Sequence, residues 1–334
     1  MTRVFYDEDV PGGALDGERV AILGYGIQGR AQALNLRDSG VEVIVGNRAD
    51  PYRAQAEHDG FAVTDLAGAA RQGSVVVVLL PDEAQPGIYA ESIAPNLAPG
   101  NALVFAHGFT VHHGLIEPPD SVDLLLVAPR MPGKYLRQRF VDQWGVPAFV
   151  GVHNDATGRA WSRLLGLAGA LGITRCAAIE ASFAEETELD HFSEHFTYPL
   201  IFRALEDAFD LLVAAGYPPE VALMELHGSG ELGEVLSAAA REGLTGMISS
   251  HASPACQVGI AHHWNSALGP AADVEDRIKQ VLDNIRSGHF ARHLVAQEAN
   301  GYPELKTWQS NRSSALERAE SSLRTWLRGP TRRE

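Results

Sequence analysis

Cysteine is scarce in this sequence. Only Cys176 and Cys256 occur among its 334 residues, and they lack the paired spacing of a zinc site. Two distant cysteines cannot form the framework of several disulfides that stabilises small secreted domains. We therefore expect both to be reduced thiols, in the core or in a pocket.

Long hydrophobic runs and a basic excess are also missing. The run Val75–Leu80 has six residues, whereas a helix needs about 20 to cross a bilayer, and the N-terminus lacks the basic and apolar regions of a secretory signal. The formal net charge is −15 at pH 7, which disfavours a surface that neutralises nucleic-acid phosphates. We expect a cytoplasmic protein with neither membrane nor nucleic-acid partners.

The first half of the chain contains short β-branched runs separated by glycine, proline and helical stretches. This pattern is typical of a parallel sheet with crossover helices. We predict an α/β Rossmann domain with a doubly wound parallel sheet over residues 1–182. Its predicted strands are Val20–Leu23, Val41–Val45, Val75–Leu80, Ala102–Phe105, Asp123–Val127 and Pro147–Val150.

The second half changes character at Phe183, where apolar residues at helical spacing replace the β-branched runs. We predict an all-helical domain over residues 183–334. The segment Pro199–Ala215 is apolar over a wide arc, which predicts packing in a bundle or at a subunit interface. Val274–Ile285 carries a narrower apolar stripe, which predicts an amphipathic helix with one solvated face.

A glycine-rich motif follows the first predicted strand and precedes a helix. Gly24 allows a tight turn, Gly26 lets the backbone approach a pyrophosphate, and Gly29 permits close packing of helix on strand. The helix N-terminus adds free N–H groups for the anion. A tight turn without a ligand is the alternative. We predict a nicotinamide dinucleotide bound by the motif residues Gly24, Tyr25, Gly26, Ile27, Gln28 and Gly29.

The loop after the second predicted strand bears on the choice between NADP(H) and NAD(H). Arg48 lies closest to the strand end and favours a 2′-phosphate, whereas Asp50 would repel one if it pointed inward. Asp50 can equally cap the turn ahead of Pro51. The sequence favours NADP(H) and leaves the role of Asp50 open.

An acidic helix supplies the sharpest polar cluster. Glu186, Asp190 and Glu194 lie one helical turn apart on a single face, with His191 and His195 beside them. Their mutual repulsion needs relief from a cation, a proton or solvent. A solvated acidic face is one interpretation, and a partly buried helix that binds a cation is the other.

Taken in order, the motifs of this sequence resemble those of the short-class ketol-acid reductoisomerases of branched-chain amino acid synthesis. The resemblance implies a Rossmann domain followed by a knotted all-helical domain, a homodimer with a shared active site, NADPH and two magnesium ions. Besides the glycine motif and the acidic helix, the matching segments are Asn35–Gly40, Pro81–Glu83, Ala106–Phe109, Ala128–Gly133, Ala215–Glu220 and Ile285–Arg292.

The resemblance also implies roles for individual residues. Asp190 matches the ligand that bridges the two ions, Glu194 a ligand to the first ion, and Glu225 a ligand to the second ion from the partner subunit. His107 matches the active-site histidine and Ser253 the serine that binds the substrate carboxylate. Three residues within matching motifs complete the predicted cofactor-binding set: Pro81, His107 and Gly133.

The sequence departs from the family where substrate and metal should bind. Ser229 replaces a glutamate, so the second ion would lose a charged ligand and magnesium binding is expected to weaken. Arg130 replaces a lysine, and a forked guanidinium differs from a compact ammonium. His191 and His195 are also departures, as is the stretch His251–Gln257. The two histidines, with Asp190 or Glu194, offer an alternative site for zinc or another transition metal.

An intact nucleotide loop beside an altered substrate pocket indicates a changed substrate. We predict an NAD(P)H-dependent reductase acting on a small polar C=O, C=N or conjugated substrate, with the isomerase step weakened or lost. Arg130 and Ser253 would hold an anionic group, and His191 and His195 would also contact the substrate. His107, His191, His195 or Glu194 would supply the proton. A genuine magnesium-dependent ketol-acid reductoisomerase and a non-catalytic nucleotide-binding paralogue are the alternatives.

Overall fold

The computed structural model describes residues 2–264, 267–310 and 314–327. The chain forms two compact units, Met1–Asp190 and His191–Glu334. The domain boundary that the sequence predicts between residues 182 and 183 stays a prediction.

A nine-stranded sheet forms the centre of the first unit. Its strands are β1 (Val4–Phe5), β2 (Arg19–Leu23), β3 (Glu42–Gly46), β4 (Ala62–Thr64), β5 (Val75–Val78), β6 (Ala102–Phe105), β7 (Asp123–Pro129), β8 (Ala148–Asn154) and β9 (Ala178–Glu180). Their order across the sheet is β1-β9-β8-β7-β6-β5-β2-β3-β4. The order reverses between β2 and β5, and such a switch point is where doubly wound sheets bind ligands.

The six predicted strands are all present, which confirms the Rossmann prediction. β5 is buried along its whole length, as expected for a sheet covered on both faces. One apolar cluster lies on each face, around Val20 and Ile22 on one side and Ala21 and Leu23 on the other. Alternate side chains of the same strand therefore contribute to two cores.

The sheet is mixed, which corrects the prediction that it is wholly parallel. β8 runs antiparallel to β7, with Pro129 opposite Ala148, and β1 runs antiparallel to β9. The segment between β7 and β8 begins and ends at the same edge of the sheet, so β8 starts where β7 ended and runs antiparallel to it. β1, β4 and β9 were not predicted, because two or three residues carry too little pattern.

Helices connect the strands of the first unit. They are α1 (Ile27–Asp38), α2 (Pro51–His58), α3 (Leu66–Gln72), α4 (Gln85–Ile88), α5 (Phe109–His112), α6 (Gly133–Val141), α7 (Ala160–Ala170) and α8 (Phe183–Phe192). α1 begins in the glycine-rich motif, and α8 carries Glu186 and Asp190 of the acidic cluster. The structure therefore contains both the helix predicted to bind a cofactor phosphate, α1, and the helix predicted to bind metal, α8.

The described part of the second unit contains helices and no strand, which confirms the all-helical prediction. The helices are α9 (Tyr198–Ala214), α10 (Pro219–Leu223), α11 (Glu231–Glu242), α12 (Leu244–His251), α13 (Pro254–His263), α14 (Ala271–Arg286), α15 (His289–Ala299), α16 (Pro303–Ser310) and α17 (Ser314–Trp326). Within the described residues, no helix is both long enough and apolar enough to span a membrane.

The two cysteines are free and exposed to solvent. The expectation that they lie in the core or in a pocket is therefore wrong. Cys176 lies in the turn before β9, and Cys256 lies on α13, where no residue is buried within its unit.

Candidate active site

The glycine-rich motif forms the turn between β2 and α1. Gly24 adopts a φ of +96°, and a Cβ added there would lie 2.7 Å from the carbonyl oxygen of Leu79; at Gly29 it would lie 1.9 Å from the carbonyl oxygen of Gly24. Gly26 differs, because no atom lies within 4 Å of an added Cβ. The fold itself needs glycine at positions 24 and 29, whereas the open space at Gly26 leaves room for a ligand to reach the backbone.

Tyr25, in the middle of the motif, is held by the protein. Its backbone N–H donates to Oδ1 of Asn47 at 3.0 Å, and its hydroxyl donates to Oδ2 of Asp59 at 2.9 Å. Burial and, after it, the bond to Asp59 raise the pKa of the phenol. The ring thus anchors the motif, and the predicted contact of Tyr25 with a cofactor would come from its backbone.

The remaining predicted cofactor residues surround the N-terminus of α1. The Gln28 side chain donates to the carbonyl oxygen of Met131 at 2.9 Å. A Cβ on Gly133 would lie 2.1 Å from the carbonyl oxygen of Ile27, so α6 can approach α1 only because residue 133 is glycine. Pro81 follows β5 at the same edge of the sheet. Their roles toward a cofactor stay predictions.

Asp50 caps α2. Its side chain accepts hydrogen bonds from the backbone N–H groups of Tyr52 and Arg53, at 2.9 and 3.1 Å. Nε of Arg48 donates to the other carboxylate oxygen at 3.0 Å, while the Arg48 side chain is 85% exposed. Desolvation opposes ionisation, but these bonds outweigh it and hold the pKa of Asp50 below its ordinary value. Asp50 therefore acts as the helix cap, which was one of the two roles left open by the sequence; the other was contact with the cofactor ribose.

Charged side chains converge at the carboxyl edge of the parallel strands. Asp82 follows β5, His107 follows β6, Arg130 follows β7, and α8 supplies Glu186 and Asp190. Because ligands of doubly wound sheets bind outside this edge, the position is that of an active site. His107, Arg130 and Asp190 were predicted to be catalytic, and the structure brings all three together.

Glu186 lies at the centre of the cluster and is 1% exposed. One carboxylate oxygen accepts from the backbone N–H of Gly108 at 2.7 Å and lies 3.0 Å from Nδ1 of His107. The other accepts from Nη1 of Arg130 at 2.9 Å. Both oxygens are therefore engaged, and Glu186 fixes the two side chains that carry positive charge.

Asp190 shares Arg130 with Glu186. Nη2 of Arg130 donates to Oδ1 of Asp190, and the guanidinium carbon lies 5.3 Å from the centre of the Phe149 ring. Oδ2 of Asp190 lies 3.7 Å from Nδ1 of His107. Arg130 is thus held on two carboxylates and one aromatic face, which suits a planar fork.

The cluster shifts the pKa values of its members. Burial disfavours the imidazolium of His107, but Glu186, Asp82 and Asp190 outweigh burial and raise its pKa to about 9. Burial raises the pKa of Asp82 to about 6, although His107 opposes the change. Burial also opposes the charge of Arg130, yet Asp190 and Glu186 hold its pKa above the ordinary value. At neutral pH the site therefore holds two cations among its carboxylates.

Three of these residues present ligand atoms close enough to hold a metal ion. One atom each from His107, Glu186 and Asp190 lie within 4.8 Å of one another. Carboxylate oxygens suit magnesium, but both oxygens of Glu186 already accept hydrogen bonds. Within the trio, Asp190 keeps one carboxylate oxygen, Oδ2, that has no guanidinium bond, so the fit to a metal rests on Asp190 more than on Glu186.

His191 and His195 belong to the second unit and pack together. Their rings lie 5.1 Å apart and are stacked, and the Phe290 ring lies 4.1 Å from that of His195. His191 is buried. The pair forms an aromatic cluster with Phe290, and its predicted roles toward substrate or a transition metal stay predictions.

The other predicted residues of the second unit lie on separate elements and are exposed within their unit. Glu194 lies in the π-helical segment Ser193–Thr197 between α8 and α9, a kind of irregularity frequent at functional sites. Glu225 lies in a second π-helical segment, which ends just before Ser229. Ser253 caps α13, accepting a hydrogen bond from the backbone N–H of Cys256 at 3.3 Å. Their roles toward metal or substrate stay predictions.

Two residues of the cluster were missing from the predicted site. Glu186 carried one signal, because it precedes Asp190 by one helical turn on the acidic face. Asp82 carried another, because it lies in the matching segment Pro81–Glu83. Neither signal revealed that the two carboxylates meet His107.

Two family models match this chain. Residues 14–177 match the acetohydroxy acid isomeroreductase, NADPH-binding domain, and residues 183–328 match the ketol-acid reductoisomerase, C-terminal domain. Together the matches span the glycine motif, the charged cluster and the helices of the second unit.

Curated relatives and a solved structure match over nearly the whole chain. Ketol-acid reductoisomerase (NADP(+)) of Caldivirga maquilingensis is 37% identical over 98% of this chain and 99% of its own length. The enzyme of the same name from Methanopyrus kandleri is 42% identical over 90% of each chain. A structure of an NADH-preferring ketol-acid reductoisomerase from an uncultured archean superposes with a TM-score of 0.92 at 32% identity, covering 98% of this chain and all of that one. This chain belongs to the ketol-acid reductoisomerase family of NAD(P)H-dependent oxidoreductases.

Proposed function

We propose that this chain is a complete ketol-acid reductoisomerase, which shifts an alkyl group in an acetohydroxy acid and reduces the resulting keto acid with hydride from NADPH. The observation that carries the proposal is the charged cluster beside an intact glycine motif, formed by His107, Arg130, Glu186 and Asp190. Relatives named for the whole reaction over 90% or more of the chain favour it. They support this alternative over the weakened isomerase that the sequence departures predicted.

His107 is suited to moving a proton in the reduction. Hydride addition to a carbonyl carbon turns the carbonyl oxygen into an alkoxide, which needs a proton or a positive neighbour. Glu186 holds Nδ1 of His107 at 3.0 Å, and Nε2 lies on the side of Asp82, at 3.9 Å. The imidazolium donates its Nε2 proton to the forming hydroxyl, while Glu186 keeps the ring oriented.

Asp190, Glu194 and Glu225 are the residues that would hold divalent ions, with Glu225 contributed by the partner subunit. When bound, a pair of such ions supplies a Lewis acid that polarises both substrate oxygens. Ser229 offers a hydroxyl where a carboxylate would add charge, so the second ion is expected to bind more weakly than the first.

The substrate carboxylate would be held by Ser253, whose hydroxyl accepts a bond as a helix cap and keeps its own proton to donate. His191 and His195 would shape the pocket for the alkyl group. Their stack on Phe290 gives them a fixed, largely apolar surface.

The test is NADPH oxidation by the purified protein with 2-acetolactate and, separately, with 3-hydroxy-3-methyl-2-oxobutanoate, each with magnesium and with a chelator. The first compound needs both steps, whereas the second needs only hydride transfer. Magnesium-dependent turnover of 2-acetolactate is the expected result. Turnover of the second compound alone would instead favour a reductase without isomerase activity, and turnover of neither would refute both.

We further propose that NADPH is preferred over NADH. Asp50 is turned toward the N-terminus of α2 and is paired with Arg48, so its charge is partly balanced before a cofactor arrives. The exposed guanidinium of Arg48 remains available for a 2′-phosphate. The relatives from Caldivirga maquilingensis and Methanopyrus kandleri are NADP(+) enzymes by name, although the solved archaeal structure is of an NADH-preferring enzyme.

Replacing Arg48 by alanine is expected to raise the KM for NADPH by about tenfold and to leave the KM for NADH nearly unchanged, because one charge-assisted hydrogen bond to the 2′-phosphate is lost. Steady-state kinetics with both cofactors checks this. Arg19→Ala is the matched control, since Arg19 is also an ion-paired surface arginine but lies at the opposite end of β2. Equal changes for both cofactors would contradict the assignment.

A homodimer with a shared active site is part of the proposal. Within the described part of the second unit, large apolar side chains of α9 are exposed: Phe202 is 66% and Leu211 is 71% exposed. The width of the apolar arc had predicted such a helix in a bundle or an interface. Large exposed apolar side chains on a helix are favourable contacts for a second subunit, and Leu211 is the more exposed of the two.

Leu211→Asp is expected to reduce the assembly to single chains, because a buried unpaired carboxylate is strongly unfavourable at an apolar interface. Light scattering after size-exclusion chromatography at micromolar concentration measures the mass. Val141→Asp, at a residue 54% exposed on α6 in the first unit, is the control. An unchanged mass for Leu211→Asp would exclude this face of α9 from the interface.

A further inference from the structure

Arg130 occupies the space between the two carboxylates of the cluster. Its two terminal nitrogens donate to different residues, Nη1 to Glu186 at 2.9 Å and Nη2 to Asp190. The guanidinium also lies over the Phe149 ring, and the backbone N–H of Arg130 donates to the carbonyl oxygen of Pro147 at 2.9 Å. The backbone and the guanidinium of Arg130 are therefore both held in place, and the guanidinium is not a freely moving surface charge.

The carboxylates of the cluster are consequently neutralised from within the chain. Glu186 accepts from Arg130 on one oxygen and from Gly108 on the other, where His107 also approaches. Asp190 keeps one oxygen, Oδ2, without a guanidinium bond. A divalent ion arriving at Oδ2 meets the charge of Arg130 on the same carboxylate, and two cations that share one carboxylate repel each other.

We propose that Arg130 is a built-in counter-ion that competes with divalent metal for Asp190, so that metal binding requires the guanidinium to loosen its hold on this carboxylate. The inference rests on the proposed function only in taking Asp190 as a metal ligand. It makes Arg130 the residue that sets the metal affinity of the site. A lysine at this position bonds with a compact ammonium on a flexible stem and cannot bridge both carboxylates as a planar fork does.

The test measures binding of the metal alone to the full-length protein. Free Mn²⁺ is followed by electron paramagnetic resonance while Mn²⁺ is titrated into wild type, Arg130→Lys and Arg130→Gln. We expect Arg130→Lys to bind the first Mn²⁺ about tenfold more tightly, since a guanidinium that bridges Glu186 and Asp190 is replaced by an ammonium that cannot bridge them. Arg3→Lys is the control, because Arg3 is also an arginine held on a carboxylate, that of Glu180, which is not a residue of the cluster.

Thermal unfolding gives a second readout. Arg130→Gln leaves two carboxylates without their cation, so its Tm is expected to fall and then to rise more steeply with Mn²⁺ than the Tm of wild type. If Arg130→Gln does not fold, the Mn²⁺ affinity of Arg130→Lys alone tests the inference. Mn²⁺ affinity that is unchanged or weaker in Arg130→Lys would overturn the inference.

The outcomes for this inference and for the proposed function are separate. Tighter Mn²⁺ binding in Arg130→Lys, with no turnover of 2-acetolactate by wild type, supports the counter-ion and refutes the complete reaction. Magnesium-dependent turnover by wild type, with equal Mn²⁺ affinities in the two proteins, refutes the counter-ion and supports the reaction.

Discussion

Replacing Glu186 by glutamine is expected to lower kcat for 2-acetolactate by about 10²- to 10³-fold, a loss typical of impaired proton transfer. The carboxylate accepts hydrogen bonds from Gly108 and Arg130 and holds His107. An amide has one acceptor and one donor end, so one of these groups would face an N–H instead of an oxygen. Either the imidazole or the guanidinium would therefore lose the oxygen that orients it.

Steady-state kinetics and a fluorescence titration with NADPH measure the effect. The Kd for NADPH is expected to stay nearly constant, because the hydrogen bonds of Glu186 go to His107, Gly108 and Arg130 and not to the glycine motif. A fall in kcat without a change in Kd separates positioning from general damage to the fold. Glu185→Gln is the matched control, since Glu185 is exposed on the same helix and its carboxylate accepts hydrogen bonds from the backbone N–H and the hydroxyl of Ser182. A kcat within about threefold of wild type for Glu186→Gln would remove Glu186 from the machinery.

Replacing Gly26 by alanine is expected to weaken NADPH binding by about ten- to a hundredfold while leaving Tm unchanged, because overpacking against a ligand costs about 1–3 kcal/mol. No protein atom lies within 4 Å of the added Cβ. The only clash would therefore come from a bound nucleotide. Gly29→Ala is the contrasting variant, because its Cβ would lie 1.9 Å from the carbonyl oxygen of Gly24 and must lower Tm.

Isothermal titration with NADPH and thermal unfolding measure the two quantities. Gly12→Ala is the control, since Gly12 also has open space around an added Cβ and lies in the same unit. Undiminished NADPH affinity in Gly26→Ala would mean that the nucleotide does not approach this loop, and the Rossmann motif would then be a tight turn without a ligand.

The sequence predicted what local patterns determine. β2, β3 and β5 are continuous apolar or β-branched runs, and the glycine motif follows one of them, so each was visible in a few residues. The direction of β8 was not visible, because it depends on where the connecting segment returns. The shortest strands were missed for lack of pattern.

The candidate site was predicted only in part for a similar reason. His107, Arg130 and Asp190 were found through the resemblance. Glu186 meets His107 and Arg130 across separations of 79 and 56 residues, and only the folded sheet edge brings them together. The same convergence decided the state of Asp190, whose carboxylate is paired with Arg130 rather than left as one charge of a repelling acidic face.

Asp50 both caps α2 and lies in the loop that bears on cofactor choice, so a substitution made to change cofactor preference also affects the helix cap. Its carboxylate closes the first turn of α2 through Tyr52 and Arg53. An apolar replacement made to admit a different ribose would remove that cap and destabilise the start of α2. Asparagine or serine would discard the charge and keep the cap, so redesign of redox coenzyme preference at this loop is confined to a very short list of side chains.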